Sequence, residues 1–172
     1  MNNQVILVDT QDRETGVMEK LEAHQKALLH RAFSVFIFNT HGQLLLQQRH
    51  ADKYHCGGLW TNTCCSHPQP GEATQTAAER RLKEELGFTT PLTDKGHFIY
   101  RAEFDNGLTE HELDHVFIGN SDRTTFSFDP QEIATVKWVN VSELQRELAQ
   151  HPQNYTPWLQ QALTLALQHT KQ

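Results

Sequence analysis

The chain of 172 residues has no long run of charge of one sign. Its formal net charge is −6, and acidic and basic residues are interspersed along its length. Surfaces that bind nucleic acid carry clustered lysine and arginine, so this balance argues against nucleic acid as the main partner. An acidic protein can still bind an anion where a few bases or a bound cation gather locally.

Long apolar runs and paired cysteines are also scarce. No apolar segment approaches the roughly 18 residues that span a bilayer, and the first residues lack a basic start followed by an apolar run. We therefore expect no membrane span and a cytoplasmic location.

The three cysteines, Cys56, Cys64 and Cys65, are odd in number and crowded, which argues against a disulfide framework and predicts reduced thiols.

Internal repeats, low-complexity segments and linkers are missing as well. Because the length is typical of one domain, we expect residues 1–172 to form a single domain with one site. Histidine, in contrast, is abundant. The eleven histidines exceed what a domain of this size usually carries, so some of them are candidate metal ligands.

Strand and helix patterns alternate along the chain. The runs AFSVFIF and QLLLQQR flank the turn sequence NTHG, which predicts a hairpin over residues 32–49. Apolar side chains recur near one face of EATQTAAERRLKEELGF, which predicts a helix that ends at Gly87. Further strands are predicted in HFIYRAEF, EHELDHVFIG and TVKWVNV.

Two helices are predicted near the C-terminus. The first, in SELQRELAQ, has Ser142 as its N-cap. The second, in TPWLQQALTLALQH, has Thr156 as its cap and Pro157 at its first helical position. Helices interleaved with strands and a hairpin predict an α/β fold of the α+β type, in which a mixed sheet packs against helices.

Two groups of charged residues admit more than one interpretation. Arg81 and Glu85 share a face of the predicted helix, and Glu84 lies beside them. One interpretation of this group is a charged helix face that only contacts solvent. If EHELDH is a strand, Glu110 and Glu112 point to one side and repel each other unless a cation lies between them. An edge strand with exposed acids is the alternative.

The segment that ends at Gly87 resembles the Nudix box, a loop–helix–loop whose glutamates hold magnesium against a diphosphate. The positions that fit the box are Glu72, Arg80, Glu84, Glu85 and Gly87. Ser66 stands where the box has glycine, and Arg81 stands where it has a glutamate that hydrolases use to place metal and water. The resemblance therefore implies diphosphate binding and disfavours phosphate cleavage.

Four segments together resemble the type 1 isopentenyl-diphosphate isomerases, over residues 20–158: EKLEAHQKALLHRAFS, LWTNTCCSHPQPGE, YRAEF and LTEHELDHVF. The resemblance implies a Nudix-like mixed sheet flanked by helices. It also implies an enzyme of isoprenoid biosynthesis that interconverts isopentenyl and dimethylallyl diphosphates. That reaction moves a double bond through a tertiary carbocation, so it needs an acid and a base on opposite faces of the substrate and the exclusion of water.

The same resemblance implies the proton carriers and the metals. Cys65 would act on one face of the substrate, and Glu112 with the phenol of Tyr100 on the other. One divalent ion, Mn²⁺, Zn²⁺ or Mg²⁺, is implied at a set of three imidazoles and two carboxylates: His24, His30, His67, Glu110 and Glu112. A second ion, Mg²⁺, would bridge the diphosphate to Glu85.

The substrate implied by the resemblance is a small molecule with one charged end. Its diphosphate would be bound by four cations: Lys20, Arg49, Lys53 and Arg81. The carbocation would face Trp158, with Trp60 nearby in the wall, because aromatic faces are electron-rich without being nucleophilic. For the assembly we expect a monomer or a weak homodimer.

Two other functions remain open from the sequence. A Nudix hydrolase of a nucleoside or prenyl diphosphate is disfavoured by Arg81. A non-catalytic zinc module would use Cys64, Cys65 and His67, but adjacent cysteines lack the separation of two to four residues typical of structural zinc sites. Cys64 is expected to fill space, and Cys56 has no assigned role.

Overall fold

The computed structural model describes residues 3–53 and 56–168. It begins with a hairpin that the sequence patterns did not predict, formed by β1 (Gln4–Val8) and β2 (Glu14–Glu19). The short helix α1 (Lys20–Lys26) follows directly. Its first turn is capped by Glu19, whose side chain accepts a hydrogen bond from the backbone N–H of Glu22.

The predicted hairpin is confirmed as β3 (His30–Phe38) and β4 (Gln43–Arg49), which are antiparallel. The side chain of Asn39 organises the turn by accepting hydrogen bonds from the backbone N–H groups of His41 and Gln43 at 3.0 and 2.9 Å. Gly42 has φ +74°, a left-handed conformation that glycine adopts without strain. The turn residues therefore explain why the chain reverses here.

The other predicted strands and helices are confirmed in their order, and helix α2 stops at its C-cap Gly87 as expected, but two short strands and a 3₁₀ turn among the remaining elements were not predicted. The remaining elements are β5 (Trp60–Thr61), β6 (Cys64–Ser66), α2 (Thr74–Leu86), β7 (Thr93–Glu103), β8 (Thr109–Asn120), β9 (Ile133–Asn140), α3 (Val141–Gln150), a 3₁₀ turn (Pro152–Asn154) and α4 (Leu159–Ala166).

The strands form one mixed sheet, as predicted. Strand β3 is its centre, because it pairs in parallel with β8 and antiparallel with β1, β4 and β6. Strand β7 pairs antiparallel with β8, and β9 pairs antiparallel with β4. The parallel pairing of β3 with β8 joins segments about 80 residues apart and aligns His30 with Glu112.

Helices cover the sheet with apolar side chains. Ala77, Ala78, Leu82 and Leu86 of α2 are buried against β3, which confirms the predicted apolar face of that helix. The apolar residues of α3 and α4 form a second cluster with Phe36 of β3. Within the described ranges, no helix has both the length and the apolar character needed to cross a membrane.

Both C-terminal helix starts differ from the prediction. Helix α3 begins at Val141, so Asn140 rather than Ser142 is its N-cap. Helix α4 begins at Leu159, after Pro157, and its N-cap is Trp158. Thr156 does not cap it because its hydroxyl instead donates a hydrogen bond to Thr61 Oγ1 at 2.8 Å. A tertiary contact has displaced the local capping pattern.

Candidate active site

Three histidines and one glutamate converge on one point. His24 lies on α1, His30 begins β3, His67 follows β6, and Glu112 lies on β8. One ligand atom from each of these side chains lies within 4.8 Å of every other. His30 and Glu112 are neighbours because they are in register in the parallel pair, and registered residues of adjacent strands point to the same side.

A tight turn brings His24 next to His30. Helix α1 ends at Lys26, and its C-cap residue Ala27 has a φ of +57°, which is left-handed and unusual for a residue with a side chain. The backbone N–H of Leu28 then bonds to the carbonyl of Ala23 at 3.1 Å, which closes the helix end. The chain enters β3 two residues later, so the rings of His24 and His30 come within 5.2 Å.

The protonation of His67 and Glu112 suits a metal ion. The backbone carbonyl of Leu28 can only accept, so His30 donates to it from Nδ1 at 3.0 Å and its Nε2 faces the cluster. Burial lowers the pKa of His67 to about 4, so this imidazole is neutral at pH 7. Burial raises the pKa of Glu112, but hydrogen bonds with His30 and His67 outweigh it and hold that pKa well below its usual range.

Neutral imidazoles and an ionised carboxylate are the forms that bind divalent cations. His67 Nε2 and His30 Nε2 lie 3.0 and 3.4 Å from Glu112 Oε2. This group of side chains therefore fits divalent metal binding.

Glu110 shares the face of Glu112, as the period of two predicts. Both acids are buried, with exposed fractions of 4% and 7%, and both line the same cavity. The alternative of an edge strand with exposed acids is wrong, because β8 lies between β3 and β7. Among the described residues, the group within 4.8 Å includes Glu112 but not Glu110.

A cavity of about 540 Å³ opens beside this group. All four predicted cations line it: Lys20, Arg49, Lys53 and Arg81. Burial lowers the pKa of Lys20, and the charges of Lys53 and Arg49 lower it further. The like charges are therefore close enough to repel one another, and an anion at this place would relieve that repulsion.

Cys65 lies in the wall of the same cavity. Its thiol donates a hydrogen bond to Asn62 Oδ1 at 3.0 Å. Burial, together with the negative charges of Asp114 and Glu85, raises the pKa of Cys65 to about 12. The thiol consequently holds its proton at neutral pH and is available as an acid.

The other two cysteines have different surroundings. Cys64 is fully buried in the apolar cluster between the sheet and α2. Cys56 is half-buried and borders a second cavity, of about 560 Å³. All three thiols are free, as predicted. Within the described ranges the metal-type cluster contains no cysteine, so the zinc-module hypothesis has no support.

Trp158 lines the cavity and packs against Tyr100. The rings of Tyr100 and Trp158 are 6.0 Å apart in an edge-to-face arrangement, and the guanidinium of Arg49 lies 6.0 Å from the centre of the indole. Burial and the charge of Glu110 raise the pKa of Tyr100, so the phenol keeps its proton. Trp60 packs in the second apolar cluster, with Lys137 Nζ 4.1 Å from its ring centre.

The helix α2 presents its charged residues to the same cavity. Arg81 donates hydrogen bonds to Glu84 at 2.6 Å and to Glu85 at 2.7 Å. Gln47 donates to the second oxygen of Glu85 at 3.1 Å. The charged face is therefore not simply solvated, and Glu85, with an exposed fraction of 9%, is held in one orientation. Each of its oxygens has a further lone pair for a ligand.

Three buried polar residues of the site were missed from the sequence: Ser34, Asn62 and Asp114. Ser34 donates to both oxygens of Asp114, at 2.8 and 3.1 Å, and its oxygen lies 3.9 Å from the sulfur of Cys65. Asp114 follows Glu110 and Glu112 in the same alternation, so that pattern was a usable signal. For Ser34 and Asn62 the sequence carries no comparable signal.

Comparison with known proteins matches residues 28–160 to the NUDIX domain family. The chain is 49% identical over 159 residues to isopentenyl-diphosphate Delta-isomerase 2 of Aromatoleum aromaticum. The aligned residues are 92% of this chain and 84% of that protein. It is 50% identical over 157 residues to isopentenyl-diphosphate Delta-isomerase of Pectobacterium atrosepticum, covering 91% of this chain and 87% of that one.

Solved structures with the same fold are more distant in sequence. A protein of Deinococcus radiodurans superposes with a TM-score of 0.75 at 19% identity, over 95% of this chain and 97% of that one. The MutT protein of Methanosarcina mazei gives a TM-score of 0.64 at 18% identity, over 79% and 91% of the two chains. At these identities the likeness establishes the fold alone.

Proposed function

The chain belongs to the NUDIX family and, within it, to the isopentenyl-diphosphate Delta-isomerases, and on this basis we propose that it interconverts isopentenyl and dimethylallyl diphosphates. The protein is thus an isomerase of isoprenoid biosynthesis. Its substrate is a small branched alkene that carries a diphosphate.

One observation supports the chemistry most directly. A protonated thiol, Cys65, and a histidine-bound carboxylate, Glu112, line one cavity together with the cations Arg49, Lys53 and Arg81. The cations provide a binding place for the diphosphate, and charge-assisted hydrogen bonds from guanidinium groups are strong enough to hold it. The two proton carriers belong to different strands, β6 and β8, and both line this cavity.

The proton balance assigns a role to each group. The terminal carbon of the alkene takes the proton of Cys65, and the positive charge falls on the tertiary carbon. A proton then leaves the neighbouring carbon toward the carboxylate of Glu112, with the phenol of Tyr100 beside it, and the double bond forms one position along. The reverse reaction exchanges the two roles. The face of Trp158 stabilises the positive charge in between.

Two metal ions complete the proposal. A divalent ion at His24, His30, His67, Glu110 and Glu112 would hold the carboxylate of Glu112 in place and polarise it. Mg²⁺ at Glu85 would neutralise charge on the diphosphate. Mn²⁺, Zn²⁺ and Mg²⁺ are the candidates for the histidine site, since imidazole and carboxylate ligands suit them.

We also propose that residues 1–172 form a single domain that works in the cytoplasm, where the three thiols stay reduced. The protein would be a monomer or a weak homodimer, and a molar mass measured in solution well above twice 19.8 kDa would contradict this.

The first prediction concerns the product. Incubation with isopentenyl diphosphate and Mg²⁺ is expected to yield dimethylallyl diphosphate, with essentially no inorganic phosphate or pyrophosphate. The physical reason is that Arg81 replaces the box glutamate and pairs with both Glu84 and Glu85. Proton and phosphorus NMR of the same sample measure both results. Rapid release of phosphate without isomer would favour a hydrolase instead.

A further inference from the structure

Asn62 lies behind the cavity wall, fully buried, at the turn that joins β5 to β6. Its side chain makes five hydrogen bonds. The amide nitrogen donates to the carbonyls of Val35 and Cys64, both at 3.0 Å. The amide oxygen accepts from Thr61, Cys65 and Trp158, at 2.9, 3.0 and 3.2 Å.

The partners fix the orientation of this amide. Backbone carbonyls can only accept, so the nitrogen of Asn62 must face Val35 and Cys64. The indole N–H of Trp158 can only donate, so the oxygen must face Trp158. A flipped amide would place donor against donor and acceptor against acceptor. The oxygen atom that Cys65 contacts therefore occupies one position.

The C-terminal segment is attached at the same place. Thr156 donates its hydroxyl to Thr61 at 2.8 Å, and its backbone N–H to the carbonyl of Trp60 at 3.0 Å. Thr61 in turn donates to Asn62. Trp158 is thus connected to the β5–β6 turn both directly and through this chain of hydroxyls.

We propose that Asn62 is a positioning residue for the isomerase reaction: its amide oxygen sets the thiol of Cys65 and the indole of Trp158 relative to each other. This inference rests on the proposed function, in which the thiol protonates the alkene and the indole faces the resulting cation. Both side chains must be aligned on one small substrate at once. Among the described hydrogen bonds, the amide oxygen of Asn62 is the one atom that accepts from both of these side chains.

The role predicts an effect on kcat without an effect on KM. A displacement of about 1 Å in a catalytic group can cost about 10²-fold in rate. Binding, in contrast, depends mainly on the charges of Lys53 and Arg81, whose side chains pair with glutamates rather than with Asn62. Asn62→Ala should therefore lower kcat about 10²-fold and leave KM for isopentenyl diphosphate within about threefold of the wild-type value.

Asn62→Asp is the variant closest in shape: one oxygen can accept from Cys65 and Trp158, and the other must carry a proton because it faces the carbonyls of Val35 and Cys64. Its kcat should be at least about tenfold above that of Asn62→Ala. Thr63→Val is the matched control. Thr63 is also fully buried in the same segment, but its hydroxyl bonds to Leu45 and Ile37 in the core. This variant loses a buried hydrogen-bonding group and should keep kcat within about threefold of wild type.

The experiment measures kcat and KM for the metal-loaded full-length chain in all four forms. A kcat for Asn62→Ala within threefold of wild type, or an equal loss in Thr63→Val, overturns the positioning role while the isomerase function stands. A wild-type chain that forms no dimethylallyl diphosphate overturns both. If Asn62→Ala does not fold, Asn62→Ser decides, because its hydroxyl is polar but lies too near the backbone to take the place of the oxygen shared by Cys65 and Trp158: a tenfold lower kcat with an unchanged KM supports the role, and an unchanged kcat overturns it.

Discussion

Cys65→Ala is expected to lose nearly all turnover, with a fall in kcat of about 10² to 10⁴-fold or more. The alanine methyl group carries no proton to donate, and the tertiary cation cannot form without one. Metal content and diphosphate affinity should be unchanged, because Cys65 contacts Asn62 and lies near Ser34 rather than in the metal group. Steady-state kinetics, metal analysis and calorimetric titration with pyrophosphate measure the three quantities.

Cys64→Ala is the natural control, because the two thiols are adjacent but face different environments. Cys64 is fully buried in the apolar cluster against α2, so its loss should lower stability modestly and leave kcat within a few-fold. Cys65→Ser is the finer test, since a hydroxyl keeps a proton with a much higher pKa and should retain slow exchange of substrate hydrogens with deuterated water. Equal, mild losses at both cysteines would contradict the assignment of the chemistry to Cys65.

His67→Ala is expected to abolish both tight metal retention and turnover. His67 contributes one of four converging ligand atoms and is neutral at pH 7. Its removal leaves three ligand atoms and exposes the metal group to the cavity, which His67 lines. Glu112→Gln should lose turnover more than metal, because the amide still offers an oxygen ligand but cannot accept the substrate proton. Metal content after desalting and kcat are the measurements.

His115→Ala serves as the matched control for this test. It lies on the same strand as Glu112, but its ring binds Asp12 at 2.8 Å and points away from the metal group. The control should keep both metal and activity. Stoichiometric metal and normal rates in His67→Ala would remove the metal site as described here.

Local patterns in the sequence predicted most of the elements that form the site. The alternation in EHELDH predicted that Glu110 and Glu112 share a face, and β8 has that arrangement. The apolar repeat and Gly87 predicted helix α2 and its end. These features depend on neighbours within a few residues, which is why periodicity and turn residues are sufficient for them.

The assembly of the site depends on contacts that no local pattern contains. His30 and Glu112 meet because β3 and β8 pair in parallel, and their register is set by the packing of the whole sheet. His24 reaches them through the left-handed turn at Ala27, a residue type that gives no signal for such a turn. These histidines were found only through the resemblance to a family.

The same limit applies to the start of α4. Thr156 and Pro157 form a good local start signal, but the hydroxyl of Thr156 binds Thr61 and the helix begins at Leu159. That contact helps to hold Trp158 beside Asn62. A local prediction thus failed at a place where the tertiary structure arranges the site.

The central claim is that two different groups, on opposite faces of the substrate, add and remove the protons. Isomerisation of isopentenyl diphosphate in deuterated water tests it directly, with proton and deuterium NMR of the product after short reaction times. If Cys65 supplies a solvent-exchanged proton and Glu112 removes another, the new methyl group of dimethylallyl diphosphate will carry one deuterium. A product with no deuterium would mean that one group transfers the same hydrogen across the substrate, and it would contradict the account.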